Sequence, residues 1–282
     1  MSRHICLVFH CLTRGTGEDA AAHKELFVPV SDIEVMIRTF KEEGYEFVWP
    51  MDVSNSRYPT CSVTFDDGYF NNSYFLDVAE RYRVPLVLFV NSYNIVNRTP
   101  FIWDLWEVAE KGKWRLSAFD YRKMYDKITS AEKDRLDNEN HRSFTVEELE
   151  IFGSHPLVYL APHSHTHQPL VGQYIRAVDH ELQENLSFLR GFSHTLLTDF
   201  SLPCGLSTRR TRRMLLDRFE RIYTVNGGGF SSTDRVINRI SLINPQYGGD
   251  LYAQVKKSFL WTSKLRKKMV NIRYSHRVLN RW

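Results

Sequence analysis

The sequence predicts an α/β protein, an irregular seven-stranded (β/α) barrel, TIM-barrel-like, with a helical insertion. Three observations predict it. Apolar runs of strand length alternate with amphipathic helical stretches, the pattern of βα units and a parallel sheet. About seven such runs occur in 282 residues, and closure into a barrel is more natural for that number than an open doubly wound sheet. The residues that could carry chemistry fall directly after apolar runs, where loops leave the C-terminal ends of barrel strands.

In chain order, Ile5-Cys6-Leu7-Val8-Phe9 reads as a buried strand. Ser31 is placed to cap a helix carrying Ile33, Met36, Ile37 and Phe40 on one face, and Gly44 to end it. Glu46 to Trp49 is a second short strand, and Ser62-Val63-Thr64-Phe65 a third, stopped by Asp-Asp-Gly. Asn71 to Tyr82 reads as a helix, and Leu86 to Val90 as a strand after Pro85. Residues 104–150 are mostly helical and polar, charge-rich from Lys123 to Arg142, and read as an insertion with its own helices. Leu157 to Ala161 is again a strand, followed by a long amphipathic helix from Tyr174 to Arg190 that stops at Gly191. Phe200 to Leu202, a helix from Thr208 to Glu220, and Ile222 to Val225 complete the count. The predicted organisation is a barrel over 1–250 and a basic C-terminal extension over 251–282.

A hydrophobic share of 43% supports a sizeable core, and 25% charged residues is ordinary for a soluble chain, which excludes a disordered one. Net charge is modest at +4, from 37 Lys and Arg against 33 Asp and Glu. Its placement is uneven. No acid follows Asp250, while Lys256, Lys257, Lys264, Arg266, Lys267, Lys268, Arg273, Arg277 and Arg281 do. Such a tail suits peripheral contact with anionic lipid or an acidic glycan, and equally a solvated extension. Nucleic acid is not an expected partner, because only the tail would argue for it. The four cysteines, Cys6, Cys11, Cys61 and Cys204, have no C-x-x-C spacing, which fits reduced thiols. The apolar run Ile5–Phe9 is too short for a secretory signal, and no stretch reaches membrane-span length. The expected location is cytoplasmic, with membrane association through the tail.

Two strand ends carry the chemistry. Asp66 and Asp67 are adjacent and, because side chains alternate along a strand, point in different directions. One can bind a metal while the other stays free as a base; taken alone, the pair also reads as a turn and a helix cap. Pro162-His163-Ser164-His165-Thr166-His167 follows another strand. In one helical turn, His163 and His167 share a face and can hold one metal ion, with His165 pointing elsewhere. A His, His, Asp set is a normal catalytic metal shell with positions left open for water. His10 follows the first strand, where a lone His is more often structural, and Phe200 to Gly205 reads locally as Pro-Gly turn chemistry. Tyr69, Phe70, Trp103 and Trp106 lie near strand ends, where aromatic rings stack on sugars or pack in the core; core packing is the expectation for Trp106.

Together these residues resemble the polysaccharide deacetylase family, carbohydrate esterase family four with its NodB-type domain. Thr64-Phe65-Asp66-Asp67-Gly68 matches the first motif, and His163-Ser164-His165-Thr166-His167 the second. Phe200-Ser201-Leu202-Pro203-Cys204-Gly205 is similar to the third, in its aromatic-x-x-Pro-x-Gly form. The likeness runs from about Leu7 to about Ile240. Val8-Phe9-His10 resembles a permuted branch that carries the catalytic histidine on its first strand. The sequence departs from the pattern at Ala161-Pro162, where small residues such as Gly are common, and at Cys204, which replaces an aromatic. The third motif also lacks the arginine of its other form, while Arg239 resembles a later family arginine that steadies Asp66.

The resemblance implies a metal-dependent hydrolase that removes N-acetyl groups from an amino sugar in a polysaccharide or glycan precursor. It implies Asp67, His163 and His167 as ligands of a divalent metal, zinc by default, Asp66 as general base and His10 as general acid. The Cys204 backbone N–H would donate to the oxyanion, and Tyr69 and Trp103 would meet the sugar. Two alternatives stand beside it: an O-acetyl esterase or other small-amide hydrolase on the same site, and a non-catalytic glycan-binding barrel.

Overall fold

The computed structural model describes residues 4–15, 24–104, 125 and 129–260. Its strands are β1 (His4–Phe9), β2 (Cys11–Thr13), β3 (Phe27–Pro29), β4 (Glu46–Phe47), β5 (Thr60–Asp67), β6 (Leu86–Val90), β7 (Val158–Pro162), β8 (Asp199–Ser201), β9 (Arg221–Thr224), β10 (Gly229–Phe230), β11 (Val236–Asn238) and β12 (Ile240–Ser241). The helices that matter below are α1 (Val30–Glu42), α2 (Leu76–Tyr82), α3 (Ser92–Asn97), α4 (Ser130–Leu136), α5 (Val146–Gly153), α6 (Ile175–Leu189), α7 (Arg209–Leu216) and α8 (Leu251–Leu260).

Parallel pairing runs β1–β5–β6–β7 in one sheet and β8–β9–β11 in another. Two links join them into a barrel. Leu160 of β7 bridges Thr195, just ahead of β8. At the other side the chain leaves β11, passes through Arg239 and enters β12, which pairs in parallel with β1. The seventh stave is therefore residues 236–241. Glu46 to Trp49, expected as one of the seven, supplies only a two-residue strand against the start of β5. The sequence hides the true stave because Asn238, Arg239 and Ser241 interrupt its apolar residues, and Arg239 is a fully buried side chain.

Alternation along the strands sorts two cores. Ile5, Leu7, Phe9, Val63, Phe65, Leu86 and Leu88 face outward into the layer under the helices. Cys6, Val87, Phe89, Ala161, Tyr223 and Ile237 form a second cluster on the opposite face of the strands. Ile33, Met36, Ile37 and Phe40 of α1 are all buried in the outer layer, and at roughly 1.5–3 kcal/mol for each large apolar side chain they fix α1 firmly to the barrel.

Several local expectations are corrected. Ser31 does not cap α1; the helix starts at Val30 with Pro29 as N-cap and no side-chain cap bond, because the chain passes straight from β3 into the helix. The predicted helix from Asn71 to Tyr82 opens as a 3-10 turn over Phe70–Phe75 before becoming α2. There the Asn71 side chain accepts from Leu12 N–H at 2.9 Å, and Asn72 donates to the His10 carbonyl at 2.6 Å, tying this turn to the end of β1. The segment assigned to a basic extension begins inside the core: Leu251 and Val255 of α8 are buried in the outer layer, and Tyr252 meets Phe40 edge-on at 5.1 Å. Its basic residues from Lys264 onward lie outside the described residues.

The insertion also ends inside the body. Thr145 and Glu148 form a reciprocal capping box on α5, whose Leu149 and Phe152 join the outer layer. Residues 105–124 and 126–128, with Trp106, lie outside the described residues. Among the described residues no helix is long and apolar enough to cross a membrane, and all four cysteines are free thiols.

Candidate active site

The C-terminal end of β5 delivers its two carboxylates to different places. Asp66 meets Arg239, which donates Nη1 to Oδ1 and Nη2 to Oδ2, both at 2.6 Å. The guanidinium also donates to Ser201 Oγ at 2.7 Å and Thr64 Oγ1 at 3.1 Å, so its planar fork is fixed by two strands, β5 and β8. Burial alone would favour protonated Asp66, but the Arg239 charge overrides it and holds the carboxyl well below the usual range.

Asp67 leaves the strand at φ +77°, and Gly68 follows at φ +95°. Its Oδ1 lies 3.5 Å from His163 Nε2 and 3.4 Å from His167 Nε2. That oxygen is buried and has no hydrogen-bond partner among the described residues. One ligand atom from each of Asp67, His163 and His167 lies within 4.8 Å of the others. An orphaned, buried carboxylate oxygen facing two imidazole nitrogens is a donor set that a divalent cation satisfies, so the residues fit a metal.

The histidines reach this point without the helical turn expected of them. Residues 163–167 form an irregular loop, with Ser164 at φ +69° and His167 at φ +60°. These left-handed residues fold the chain back so that both rings face Asp67; sequence spacing does not encode them, since neither is glycine. His163 Nδ1 donates to the Ser201 carbonyl at 2.9 Å, which assigns the tautomer and leaves the Nε2 lone pair aimed at the hollow. Burial works against charge on His163, yet Asp66 and Asp67 outweigh it and raise its pKa. At His167 burial wins and pushes the pKa down to about 4, so its ring is neutral near pH 7. His165 turns away, its Nδ1 2.9 Å from Ser92 Oγ.

Helix α6 holds this loop from behind. Glu181 accepts from Thr166 N–H at 2.7 Å and Thr166 Oγ1 at 2.8 Å. Asn185 accepts from His163 N–H at 3.1 Å and donates to the Val90 carbonyl and to Ser92 Oγ, both at 3.0 Å. Sequence reading misses both residues, and it misses Ser201. The available signal was two polar residues four apart within the buried stripe Val178, Leu182 and Leu189.

The remaining candidates divide. Phe9 pairs with Phe65, so His10 leaves β1 level with Asp66; its charge is felt by both aspartates, and its Nδ1 is buried without a partner among the described residues. Cys204 sits at φ +56° three residues beyond Ser201, in the turn that follows β8. Tyr69 is not a sugar platform. It is buried, its ring packs on Phe101 at 4.1 Å, and its hydroxyl donates to Asp104 at 2.9 Å. Trp103 donates its indole N–H to Tyr69 at 2.7 Å and lays its half-buried ring 4.5 Å from His167, forming a wall of the hollow.

The family model for polysaccharide deacetylase matches residues 54–217, more than half of the chain, a span that holds Asp66, Asp67, His163, His167 and Cys204 but neither His10 nor Arg239. No curated protein matches. Among solved structures, the chain is similar to a polysaccharide deacetylase from Bacillus cereus at TM-score 0.62 and 14% identity, over 90% of this chain and 68% of that one. It is similar to the deacetylase PplD of Streptococcus pyogenes, solved with acetate, at TM-score 0.60 and 16% identity, over 92% and 97% of the two chains. It is also similar to IcaB from Ammonifex degensii at TM-score 0.62 and 14% identity, over 90% and 97%. At such identity these structures speak for the fold.

Proposed function

We propose that this chain, which belongs to the polysaccharide deacetylase family, removes N-acetyl groups from an amino sugar within a polysaccharide or glycan precursor, using a divalent metal held by Asp67, His163 and His167. The observation that carries the reading is the buried, unpartnered Asp67 Oδ1 facing His163 Nε2 and His167 Nε2. Zinc is the first expectation for a His, His, Asp set.

When bound, such an ion polarises the acetyl carbonyl and lowers the pKa of water. The chain's own residues do the rest. Asp66, kept ionised by Arg239, accepts the proton of the attacking water. The Cys204 backbone N–H donates to the oxyanion as the carbonyl becomes tetrahedral. His10 gives a proton to the sugar nitrogen as the C–N bond breaks, so acetate and a free amine leave. Trp103 closes one wall against His167 and presents the edge that a sugar ring meets. The neutral His167 ring is ready to ligate without first losing a proton.

The test is acetate release from a panel of N-acetylated sugars and oligosaccharides by the purified chain, with and without a chelator. Activity that the chelator removes and zinc restores supports the reading. Release from O-acetyl esters alone would assign the same site to ester hydrolysis. A metal-free protein that releases no acetate from any substrate would overturn the reading in favour of a binding barrel.

A further inference from the structure

The loop that carries both histidines is strained and irregular. Backbone bonds tie it to β6 and α3, with His163 N–H donating to the Val90 carbonyl at 3.0 Å and Tyr93 N–H to the His165 carbonyl at 2.8 Å, and side chains of one helix, α6, grip it as well. Ser164 and His167 lie in the left-handed region, which costs each non-glycine residue about 1 kcal/mol or more and persists only where surroundings over-determine it. The surroundings here include two side chains of α6, four residues apart and so on one face. Glu181 is a buried carboxylate whose two oxygens both go to Thr166, one to its N–H and one to its hydroxyl. Asn185, nearly inaccessible, grips the other end of the loop through the His163 N–H, and grips β6 and α3 through the Val90 carbonyl and Ser92 Oγ. Ser92 Oγ in turn lies 2.9 Å from His165 Nδ1, so His163, His165 and Thr166 are all tied to this network. Neither side chain reaches the hollow.

We infer that Glu181 and Asn185 are positioning residues, a two-point clamp that sets the ligating shape of residues 163–167 before any metal arrives. The inference rests on the metal reading above and deepens it. A metal ion recovers full affinity only from ligands already aimed at one point, because otherwise the cost of ordering the loop is subtracted from binding. A carboxylate suits the Thr166 end because both of its neighbours there are donors, N–H and O–H. Glutamine preserves that geometry: its carbonyl oxygen accepts from the Thr166 N–H while its amide donates to the Thr166 hydroxyl oxygen. Methionine, of similar length, preserves neither bond.

The experiment uses the full chain, stripped with chelator, and reads zinc affinity by competition with a chromogenic chelator, below the melting temperature of every variant. Wild type, Glu181→Met, Glu181→Gln and Thr166→Val are compared, with circular dichroism to establish that each is folded. Glu181→Met is expected to bind zinc about 10- to 100-fold more weakly while fully folded, the usual effect of removing a partner that orients a metal loop. Glu181→Gln is expected to stay within about threefold of wild type, and Thr166→Val to lose roughly three- to tenfold, the share of one hydrogen bond. A clamp that merely stabilises the fold would lower the melting temperature and leave zinc affinity of folded protein unchanged; that result overturns the inference and leaves the metal reading standing. If Glu181→Met does not fold, Thr166→Val decides, and wild-type affinity there overturns it too. Glutamine as weak as methionine would also overturn it, since charge rather than shape would then be acting. A wild-type chain that binds no zinc overturns the metal reading and the clamp together.

Discussion

Two aspartate–arginine pairs with buried carboxylates sit in the parallel staves of this barrel, and only one lies beside reactive groups. At the start of β8, Asp199 takes Nε and Nη2 of Arg221 at 2.8 and 2.9 Å, the Tyr223 hydroxyl at 2.5 Å and Thr198 Oγ1 at 3.0 Å. At the end of β5, Asp66 takes Arg239 just as tightly and Ser201 Oγ at 3.2 Å. In hydrogen bonding the pairs are alike, although Arg221 is partly exposed and Arg239 is not. Their neighbours differ. Beside Asp66, the polar atoms Asp67 Oδ1, His167 Nδ1 and His10 Nδ1 are buried without partners among the described residues. A buried ion pair therefore marks nothing by itself, since structural pairs are equally well satisfied. The sign of function is the polar surface left unsatisfied next to one.

The comparison breaks most sharply by emptying the unsatisfied hollow. Asp67→Ala, His163→Ala and His167→Ala should each lose metal and bring acetate release to background, measured by metal content and turnover on one preparation. Full metal occupancy in the two histidine variants would reject the ligand assignment. Next in size are the proton carriers. Asp66→Asn should keep its metal and lose roughly 100- to 10,000-fold in kcat, the scale of acid–base catalysis. Metal loss in that variant would mean the two aspartates have exchanged roles. His10→Gln should lose a comparable factor in kcat with KM nearly unchanged, because an amide nitrogen leaves poorly without a proton.

The saturated pair should behave in the opposite way. Asp199→Asn leaves Arg221 short of its partner and should cost about 3–5 kcal/mol in urea unfolding, with kcat of the folded protein held. A kcat loss there as large as that of Asp66→Asn would erase the distinction between the two ends.

The smallest effect sharpens the picture through pH. In the folded chain the pKa of His167 is pushed down to about 4 from 6.5, so below 6.5 the unfolded chain takes a proton that the folded chain refuses. Unfolding is then favoured, and metal-free stability should fall as pH drops from 6.5 to about 4, by on the order of 3 kcal/mol. Asp66 extends the loss below the ordinary carboxylate range, because its folded-state pKa is depressed. His163, raised above 6.5, gives its contribution as pH falls toward that value, and below it the contribution is already complete. Urea midpoints across this window should flatten in His167→Gln; an unchanged slope would remove His167 as the cause.

Much of this was legible in the chain. Six of the seven staves fall on short strand segments that the sequence reading placed, and β5 and β7 end at the residues that matter because strand alternation and Gly68 leave the carboxylates and histidines at an open end. The seventh stave was missed because its inward side chain is Arg239, a residue that no apolar pattern announces. Tyr69 was misread because an aromatic next to a motif carries no mark of which face it buries, and its hydroxyl found Asp104.

What the sequence by itself determined was the residue inventory and its order along the staves: two aspartates, a histidine-rich strand end and a histidine after the first strand, all delivered to one end by parallel βα connection. Only the tertiary structure decided that Arg239 crosses from the seventh stave to Asp66, that the histidine loop folds through left-handed residues, and that α6 holds it there. Those facts join residues up to 173 positions apart, and local propensity acts over a few residues, whereas ion pairs and buried hydrogen bonds are chosen by whatever the closed barrel brings within 3 Å or so of each other.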